Sequence, residues 1–168
     1  MNSIILEGCD GVGKTTVAKL LADIYNMDIC HCTAEDPADY DFYRNTARKK
    51  NVIWDRHTIG ELIYPEVFHR KPQIGPEDAR LALAYGRKNG TKVIVLNADT
   101  HVIRNRLRAR GNECEEVMNH LDYIHDKFIE YANFLNVPIV NTSGSISDVL
   151  ADIIDIIETD DQYMFIHK

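Results

Sequence analysis

The sequence predicts an α/β protein with a five-stranded parallel sheet and helices on both of its faces. Short apolar runs alternate with longer amphipathic segments along the 168 residues, which is the order of elements in a parallel α/β domain. The apolar runs are continuous and rich in β-branched residues, as in strands that are covered on both faces. No internal repeat, low-complexity tract or linker interrupts the chain, so we expect a single domain over residues 1–168.

Five segments have the composition of strands. Ser3–Glu7 is a buried apolar run, and Asp28–Cys32 is a weaker candidate. The other three are the apolar segments Asn51–Asp55, Lys92–Asn97 and Val137–Asn141. Right-handed crossovers between successive strands then place the intervening helices on the two faces of the sheet.

Five longer segments have the apolar periodicity of amphipathic helices. Pro76 suits the first turn of one of them, and Gly90 ends it. The predicted helices are Gly13–Asn26, Pro76–Asn89, Thr100–Arg110, Glu113–Asn136 and Ser145–Glu158.

The composition limits the partners that we expect. With 19 Lys and Arg against 26 Asp and Glu, the formal net charge is −7, which argues against a nucleic-acid polymer or a membrane surface as the partner. No apolar run reaches the roughly 20 residues that span a bilayer, and the N-terminus does not resemble a signal peptide. Cys9, Cys30, Cys32 and Cys114 have neither disulfide nor zinc-site spacing. We therefore expect a cytoplasmic protein, in the host cytoplasm if the source is viral.

The strongest motif is Gly-Cys-Asp-Gly-Val-Gly-Lys-Thr at residues 8–15, which matches G-x-x-x-x-G-K-[ST] between a strand and a helix. The glycines let backbone N–H groups face a phosphate at the positive end of the helix. Lys14 can reach the β- and γ-phosphates, and the Thr15 hydroxyl can ligate Mg²⁺. The motif predicts a three-layer P-loop NTPase fold that binds a nucleoside triphosphate with magnesium. The expected nucleotide-binding residues are Gly8, Gly11, Val12, Gly13, Lys14, Thr15 and Thr16.

The end of the third strand favours a kinase over the other P-loop classes. A GTPase needs Asn-Lys-x-Asp after a strand, whereas residues 98–100 read Ala-Asp-Thr. An ATPase module normally has adjacent acids at a strand end, whereas Asp55 is followed at once by Arg56. A strand-end carboxylate can orient Mg²⁺, and an adjacent arginine can clamp a second phosphate bidentately. A site with Lys14 at one end and Arg56 at the other would suit the transfer of a group between two anions.

Four arginines fall within seven residues, at positions 104, 106, 108 and 110. On a helix Arg104 and Arg108 share one face, while Arg106 and Arg110 share another. One pair can face the phosphates while the other is solvated. Arg110 is the preferred candidate, because Gly111 behind it marks a hinge where a lid can close.

The segment 7–16, the Asp-Arg-His triplet at 55–57 and Tyr64 together resemble the thymidylate kinase family, which phosphorylates deoxynucleoside monophosphates with ATP. The resemblance extends through 107–111, similar to the family's lid, and 141–143, similar to its adenine-side turn. It implies a short, phage-like member with ATP and Mg²⁺ as cofactors, a small nucleotide as substrate, and a homodimer that packs through helices.

The resemblance implies a role for each matching residue. Asp10 would lie near the acceptor sugar or the phosphates, and Arg56 would hold the acceptor 5′-phosphate. Asp55 would support the magnesium together with Thr15. Tyr64 matches the aromatic residue that packs under the sugar and disfavours a 2′-hydroxyl.

On the donor side, some family members carry an arginine inside the loop where this chain has Gly11. The lid, about residues 104–116, would then supply the charge-neutralising arginine. The resemblance-implied donor-side residues are Arg106, Thr142 and Ser143. The predicted catalytic residues are Asp10, Lys14, Arg56 and Arg110.

The base-reading segment departs from the family pattern. Its stacking Phe and base-reading Arg have no clear counterpart, and the candidates lie between residues 42 and 48. Tyr43 and Arg44 are assigned to the base, which by default is thymine or a 5-substituted uracil. Arg70 and Lys71 follow Tyr64 where relatives often have an arginine; either could contact the acceptor phosphate, and Arg70 is the residue assigned to it.

The predicted reaction is in-line transfer of the γ-phosphoryl group to an ionised 5′-phosphate, which needs no strong general base. Catalysis then consists of positioning and charge stabilisation. One alternative is a deoxynucleoside kinase, for which Glu61 or Asp10 could act as the base. Another is a non-catalytic nucleotide-binding module, which the joint presence of Lys14, Thr15 and the Asp55-Arg56 pair disfavours.

Overall fold

The central strand of the sheet is β1 (Ile4–Glu7), all four residues of which are buried. The computed structural model describes residues 2–33, 35–111 and 114–159. Within them, the other strands are β2 (Asp28–His31), β3 (Val52–Asp55), β4 (Lys92–Asn97) and β5 (Ile139–Asn141). All pairings between these five strands are parallel, in the order β2-β3-β1-β4-β5. The predicted five-stranded parallel sheet is confirmed.

Burial along the strands follows their place in the sheet. Successive side chains of a strand point to opposite faces, so the complete burial of β1 and β3 means that both faces are covered. The outer strands β2 and β5 are largely exposed or half-buried because each has a neighbour on one side only. The continuous apolar runs of the central strands are the sequence signal of this double covering.

The helices surround this sheet. Within the described residues they are α1 (Lys14–Tyr25), α2 (Tyr40–Thr46), α3 (Thr58–Val67), α4 (Pro76–Lys88), α5 (Thr100–Arg110), α6 (Glu115–Asn119), α7 (Leu121–Phe134) and α8 (Ile146–Glu158). None of them combines the length and hydropathy of a membrane-crossing segment.

Two features of the helices differ from the prediction. The five predicted helices include neither α2 nor α3, and α3 contains both Gly60 and Pro65, which have low helix propensity. The segment predicted as one helix over 113–136 is interrupted at His120, whose backbone (φ −107°, ψ 15°) leaves the helical region. Residues 112 and 113 of the predicted lid, and 160–168 of the predicted domain, lie outside the described residues.

The sheet order brings the predicted motifs to one edge. Leu6 of β1 is in register with Asp55 of β3, and the Arg56 N–H donates to the Leu6 carbonyl at 3.0 Å. The glycine-rich loop leaves β1 at the same edge, between β3 and β4. Ligands of open parallel sheets bind outside the carboxyl ends of the strands where the strand order reverses, and β1 is that point.

Candidate active site

The glycine-rich loop lies directly against its neighbours. Gly8 has φ +137°, and a Cβ atom there would collide with the Leu96 carbonyl of β4. Gly11 has φ +85°, and a Cβ atom there would lie 2.9 Å from Leu107 Cγ of α5. Both positions therefore need glycine for backbone conformation and for space.

Lys14 is folded back onto this loop. Its side chain is buried, and Nζ donates to the Gly8 carbonyl at 2.7 Å and to the Cys9 carbonyl at 2.8 Å. Burial lowers the pKa of the Lys14 ammonium, whereas the Asp10 carboxylate opposes that shift. The loop thus holds a cation at its centre.

Thr15 and Asp55 form the oxygen-rich part of the site. The Thr15 hydroxyl donates to Asp55 Oδ2 at 2.8 Å, and His31 Nδ1 lies 3.3 Å from the same oxygen. Hydroxyl and carboxylate oxygens are ligands that Mg²⁺ prefers. Within the described residues no group of three His, Cys, Asp or Glu side chains could hold a metal. The pair therefore fits a Mg²⁺ ion that takes its remaining ligands from water and phosphate.

Two adjoining cavities open at this edge of the sheet. The loop cavity has a volume of about 360 Å³, and its lining includes Gly11, Gly13, Lys14, Thr15 and Asp55. The α3 cavity has a volume of about 460 Å³, and its lining includes Tyr43, His57, Glu61, Tyr64, Phe68 and Arg70. Asp10, Cys32, Thr33, Arg56 and Arg110 line both cavities and so mark the junction, and Asp10, Arg56 and Arg110 are its charged members.

Asp10, Arg56 and Tyr64 form a connected group at the junction. The Arg56 guanidinium bonds to Asp10 Oδ1, and the Tyr64 hydroxyl donates to Asp10 Oδ2 at 3.2 Å. The guanidinium also lies over the Tyr64 ring, 5.6 Å from its centroid. Arg56 has φ +74°, a left-handed conformation that is uncommon for a non-glycine residue and is found at functional sites.

The lining of the α3 cavity includes an ion pair. Arg70 Nη1 and Nη2 donate to Glu61 Oε1 and Oε2 at 2.8 and 2.6 Å. Arg70, which we predicted to contact the acceptor phosphate, is therefore bonded to Glu61. We named Glu61 above only as a possible general base of a deoxynucleoside kinase. Burial, followed by the Glu61 carboxylate, raises the pKa of the Tyr43 hydroxyl, so Tyr43 lies near this pair.

Two further buried groups near α3 were not predicted. Glu7 is completely buried and accepts from the Ile59 N–H at 2.6 Å. Burial raises the pKa of Glu7 to about 7. His57 bonds through Nε2 to Thr46 Oγ1 at 2.8 Å, and burial lowers its pKa to about 3, so it is neutral. An acidic residue at the end of an apolar strand was the available signal for Glu7.

The arginines of α5 separate into two faces. Arg106 donates to the Thr142 carbonyl at 2.6 Å, and its Nη1 lies 3.4 Å from the Val12 carbonyl. Arg110 is exposed and lines both cavities. Arg104 instead pairs with Asp122 at 2.6 Å. The face that carries Arg106 and Arg110 is the one directed at the loop.

The other predicted residues are placed as follows. The Thr142 hydroxyl donates to the Val12 carbonyl at 2.7 Å, and Ser143 Oγ accepts from the Asp99 N–H at 3.2 Å, both near the loop. Thr16 is exposed on α1. Arg44 lies with its guanidinium 4.5 Å from the Tyr85 ring centroid and is not part of the lining described for either cavity. Of the two predicted base contacts, only Tyr43 reaches the α3 cavity.

No family model matches the chain. It is 32% identical over 119 residues to the SPbeta prophage-derived uncharacterized protein YorR of Bacillus subtilis (strain 168), which covers 67% of this chain and 72% of YorR. It is 25% identical over 187 residues to a protein named "Probable thymidylate kinase" from Caldivirga maquilingensis, covering 91% of each.

Two solved structures share the fold of this chain. The crystal structure of Bacillus subtilis YorR in complex with phosphorylated GDP matches with a TM-score of 0.78 and 28% identity, covering 93% of this chain and 95% of that chain. Deoxyadenosine kinase from M. mycoides with bound dCTP matches with a TM-score of 0.60 and 17% identity, covering 91% and 97%. The second likeness is one of fold alone, and together they identify a P-loop kinase fold.

Proposed function

Because the chain belongs to the family of the prophage protein YorR and has a P-loop kinase fold, we propose that it is a nucleotide kinase. It transfers the γ-phosphoryl group of ATP to the 5′-phosphate of a deoxynucleoside monophosphate. The α3 cavity then holds the acceptor, and the loop cavity holds the phosphates of ATP.

The observation that carries this proposal is the meeting of the two cavities at Asp10, Arg56 and Arg110. Two cationic side chains at the junction suit the point where donor and acceptor phosphates approach each other. The relatives support a nucleotide as ligand, since the YorR structure contains phosphorylated GDP and the M. mycoides enzyme is a deoxyadenosine kinase. Thymidylate stays the acceptor that the family resemblance predicts, and the homodimer stays a prediction.

Each side chain has a distinct part in this reaction. Lys14 presents its ammonium to the transferred phosphate, and Thr15 and Asp55 hold the magnesium, which neutralises phosphate charge when bound. Arg56 leaves Asp10 to bind the acceptor phosphate, because a phosphate dianion competes with a carboxylate for the same guanidinium. The acceptor oxygen is ionised at neutral pH, so positioning replaces base catalysis.

The test is a coupled ADP-release assay with a panel of deoxynucleosides and their monophosphates. We expect turnover with at least one monophosphate. Lys14→Ala should lower kcat roughly 100- to 1,000-fold, and Arg56→Ala should raise the KM for the monophosphate roughly 100-fold. Arg104→Ala is the matched control, because Arg104 pairs with Asp122 outside the junction. Normal monophosphate turnover by Arg56→Ala would refute the assignment.

A second candidate is a deoxynucleoside kinase, which the position of Asp10 favours. Its carboxylate lies at the junction and accepts hydrogen bonds from Arg56 and Tyr64, where it can take the proton of a 5′-hydroxyl. The same panel separates the two functions. Turnover of nucleosides but not of monophosphates, abolished by Asp10→Asn, would select the nucleoside kinase.

A further inference from the structure

The lining of the α3 cavity includes a carboxylate–guanidinium pair that the proposed phosphoryl transfer leaves without a role. Glu61 and Arg70 are joined by two parallel hydrogen bonds of 2.8 and 2.6 Å. Both residues line the α3 cavity, and neither lines the loop cavity. The pair is therefore not among the residues shared by the two cavities, where the acceptor phosphate would bind.

The two partners of this pair differ in how firmly they are held. Glu61 comes from α3, its side chain is 4% exposed, and the Gln73 N–H donates to its Oε1 at 3.0 Å. Arg70 follows the end of α3, and its side chain is 37% exposed. A carboxylate that is fixed and a guanidinium that is accessible make Arg70 the exchangeable partner.

The two carboxylate oxygens of Glu61 that bond to Arg70 favour donors in one particular arrangement. They accept two parallel N–H groups attached to nitrogens that share one carbon atom, which is the guanidinium pattern. Among the common nucleobases only guanine presents this pattern, through its ring N1–H and its exocyclic N2 amino group. Adenine and cytosine each offer one amino group, and thymine offers one N–H between two carbonyl oxygens that a carboxylate repels.

We infer that Glu61 reads the base of the acceptor nucleotide and selects guanine, which replaces Arg70 on the carboxylate edge. The inference rests on the proposed function, in that the α3 cavity is taken as the acceptor site. With the phosphate at Arg56 and Arg110, the base extends along the cavity towards Glu61. Tyr64 bonds to Asp10 at the junction, and Tyr43 lies near Glu61.

The decisive comparison is between dGMP and dIMP, because hypoxanthine lacks only the N2 amino group. Binding of each to the full chain is measured by calorimetric titration without ATP, and kcat/KM is measured with ATP and Mg²⁺. We expect dGMP to be favoured by about 10- to 100-fold, the factor that one hydrogen bond to a charged group provides. Thymidylate, included in both assays, should bind more weakly than dGMP.

Two variants distinguish recognition of the base by Glu61 from a purely structural role of the Glu61–Arg70 pair. Glu61→Gln should abolish the preference for dGMP over dIMP, because an amide cannot accept both N–H groups. Arg70→Met should retain the preference, because the carboxylate remains. If the pair only braced the loop after α3, both variants would weaken all nucleotides alike and leave the dGMP to dIMP ratio unchanged.

Failure of the inference can be told from failure of the proposed function. Equal binding of dGMP and dIMP by the unaltered protein overturns the inference, whatever the kinase assay shows, and this comparison needs no variant. Selective dGMP binding without phosphoryl transfer to any monophosphate would refute the proposed function and keep Glu61 as the guanine-reading residue. Transfer to thymidylate in preference to dGMP would refute the inference alone.

Discussion

Glu7 connects the strand that carries the phosphate loop to the helix that forms the α3 cavity. Its carboxylate is completely buried at the end of β1 and accepts from the Ile59 N–H in the first turn of α3. Free N–H groups at a helix start favour a negative charge, but burial outweighs them and raises the pKa of Glu7 to about 7. A neutral carboxyl group is therefore favoured over much of the acidic range.

This raised pKa predicts an unusual dependence of stability on pH. The folded state favours protonated Glu7, so its stabilisation is complete below pH 4.5, the ordinary pKa, and is lost as pH rises to about 7. The loss amounts to about 3 kcal/mol in the free energy of unfolding. Glu7→Gln should remove this dependence, as measured by urea unfolding at a series of pH values.

The control is Glu35→Gln, because Glu35 is exposed. It should leave the pH profile of stability unchanged. Parallel profiles for the unaltered protein and Glu7→Gln between pH 4.5 and 7 would contradict the prediction.

Single residues of the site were predictable where a short motif encodes them. Lys14 and Thr15 follow from loop spacing, and Asp55 and Arg56 follow from their position at a strand end. Arg70 shows the limit. Its position after Tyr64 assigned it to the acceptor phosphate, and in the structure it bonds to Glu61, nine residues earlier, a pairing that no local pattern in the sequence specifies.

Helix α5, the phosphate loop and the turn after β5 are joined through one side chain. Arg106 donates to the Thr142 carbonyl and approaches the carbonyls of Gly11 and Val12. Gly11 itself packs against Leu107 of α5. The position of α5 therefore determines both the loop conformation and the place of Arg110.

Removal of Arg106 should loosen this unit and weaken ATP binding. We expect Arg106→Ala to raise the KM for ATP about 10-fold, equivalent to roughly one lost hydrogen bond to a charged group. Arg104 lies on the other face of the same helix and pairs with Asp122. The Arg104→Ala variant loses only that pair, so the KM of this variant for ATP should change little. Equal effects of the two substitutions in steady-state kinetics would show that Arg106 does not act through the loop.

Helix α3 escaped prediction because its stability comes from tertiary burial. Helix α3 contains Gly60 and Pro65, yet eight of its ten residues are buried, and packing overrides their low propensity. The break at His120 is equally invisible to periodicity, because the apolar spacing continues on both sides of it. Segments with regular apolar spacing, such as α1 and α8, were predicted to within one residue at each end.

The molecule as a whole is acidic, but several of its cationic side chains lie together at one site. The net charge of −7 describes the surface, whereas Lys14, Arg56 and Arg110 gather at one edge of the sheet. That edge is set by the strand order, because β1 lies between β3 and β4 and brings their carboxyl ends together. Composition predicted an acidic protein and the motifs predicted a cationic site within it, and the strand order brings these cations to one edge of the sheet.

Because the loops and strand ends that form this site come together only in the folded chain, a ligand bound there should stabilise the entire fold. ATP with Mg²⁺ at 100 times its Kd should add about 2.7 kcal/mol to the free energy of unfolding. For a chain of this size that is a rise in Tm of roughly 5–10 °C, measured by circular dichroism. The increment that depends on Mg²⁺, obtained by comparison with EDTA, should disappear in Thr15→Val, because the hydroxyl that bonds to Asp55 is removed. A full Mg²⁺ increment in that variant would exclude Thr15 as a ligand.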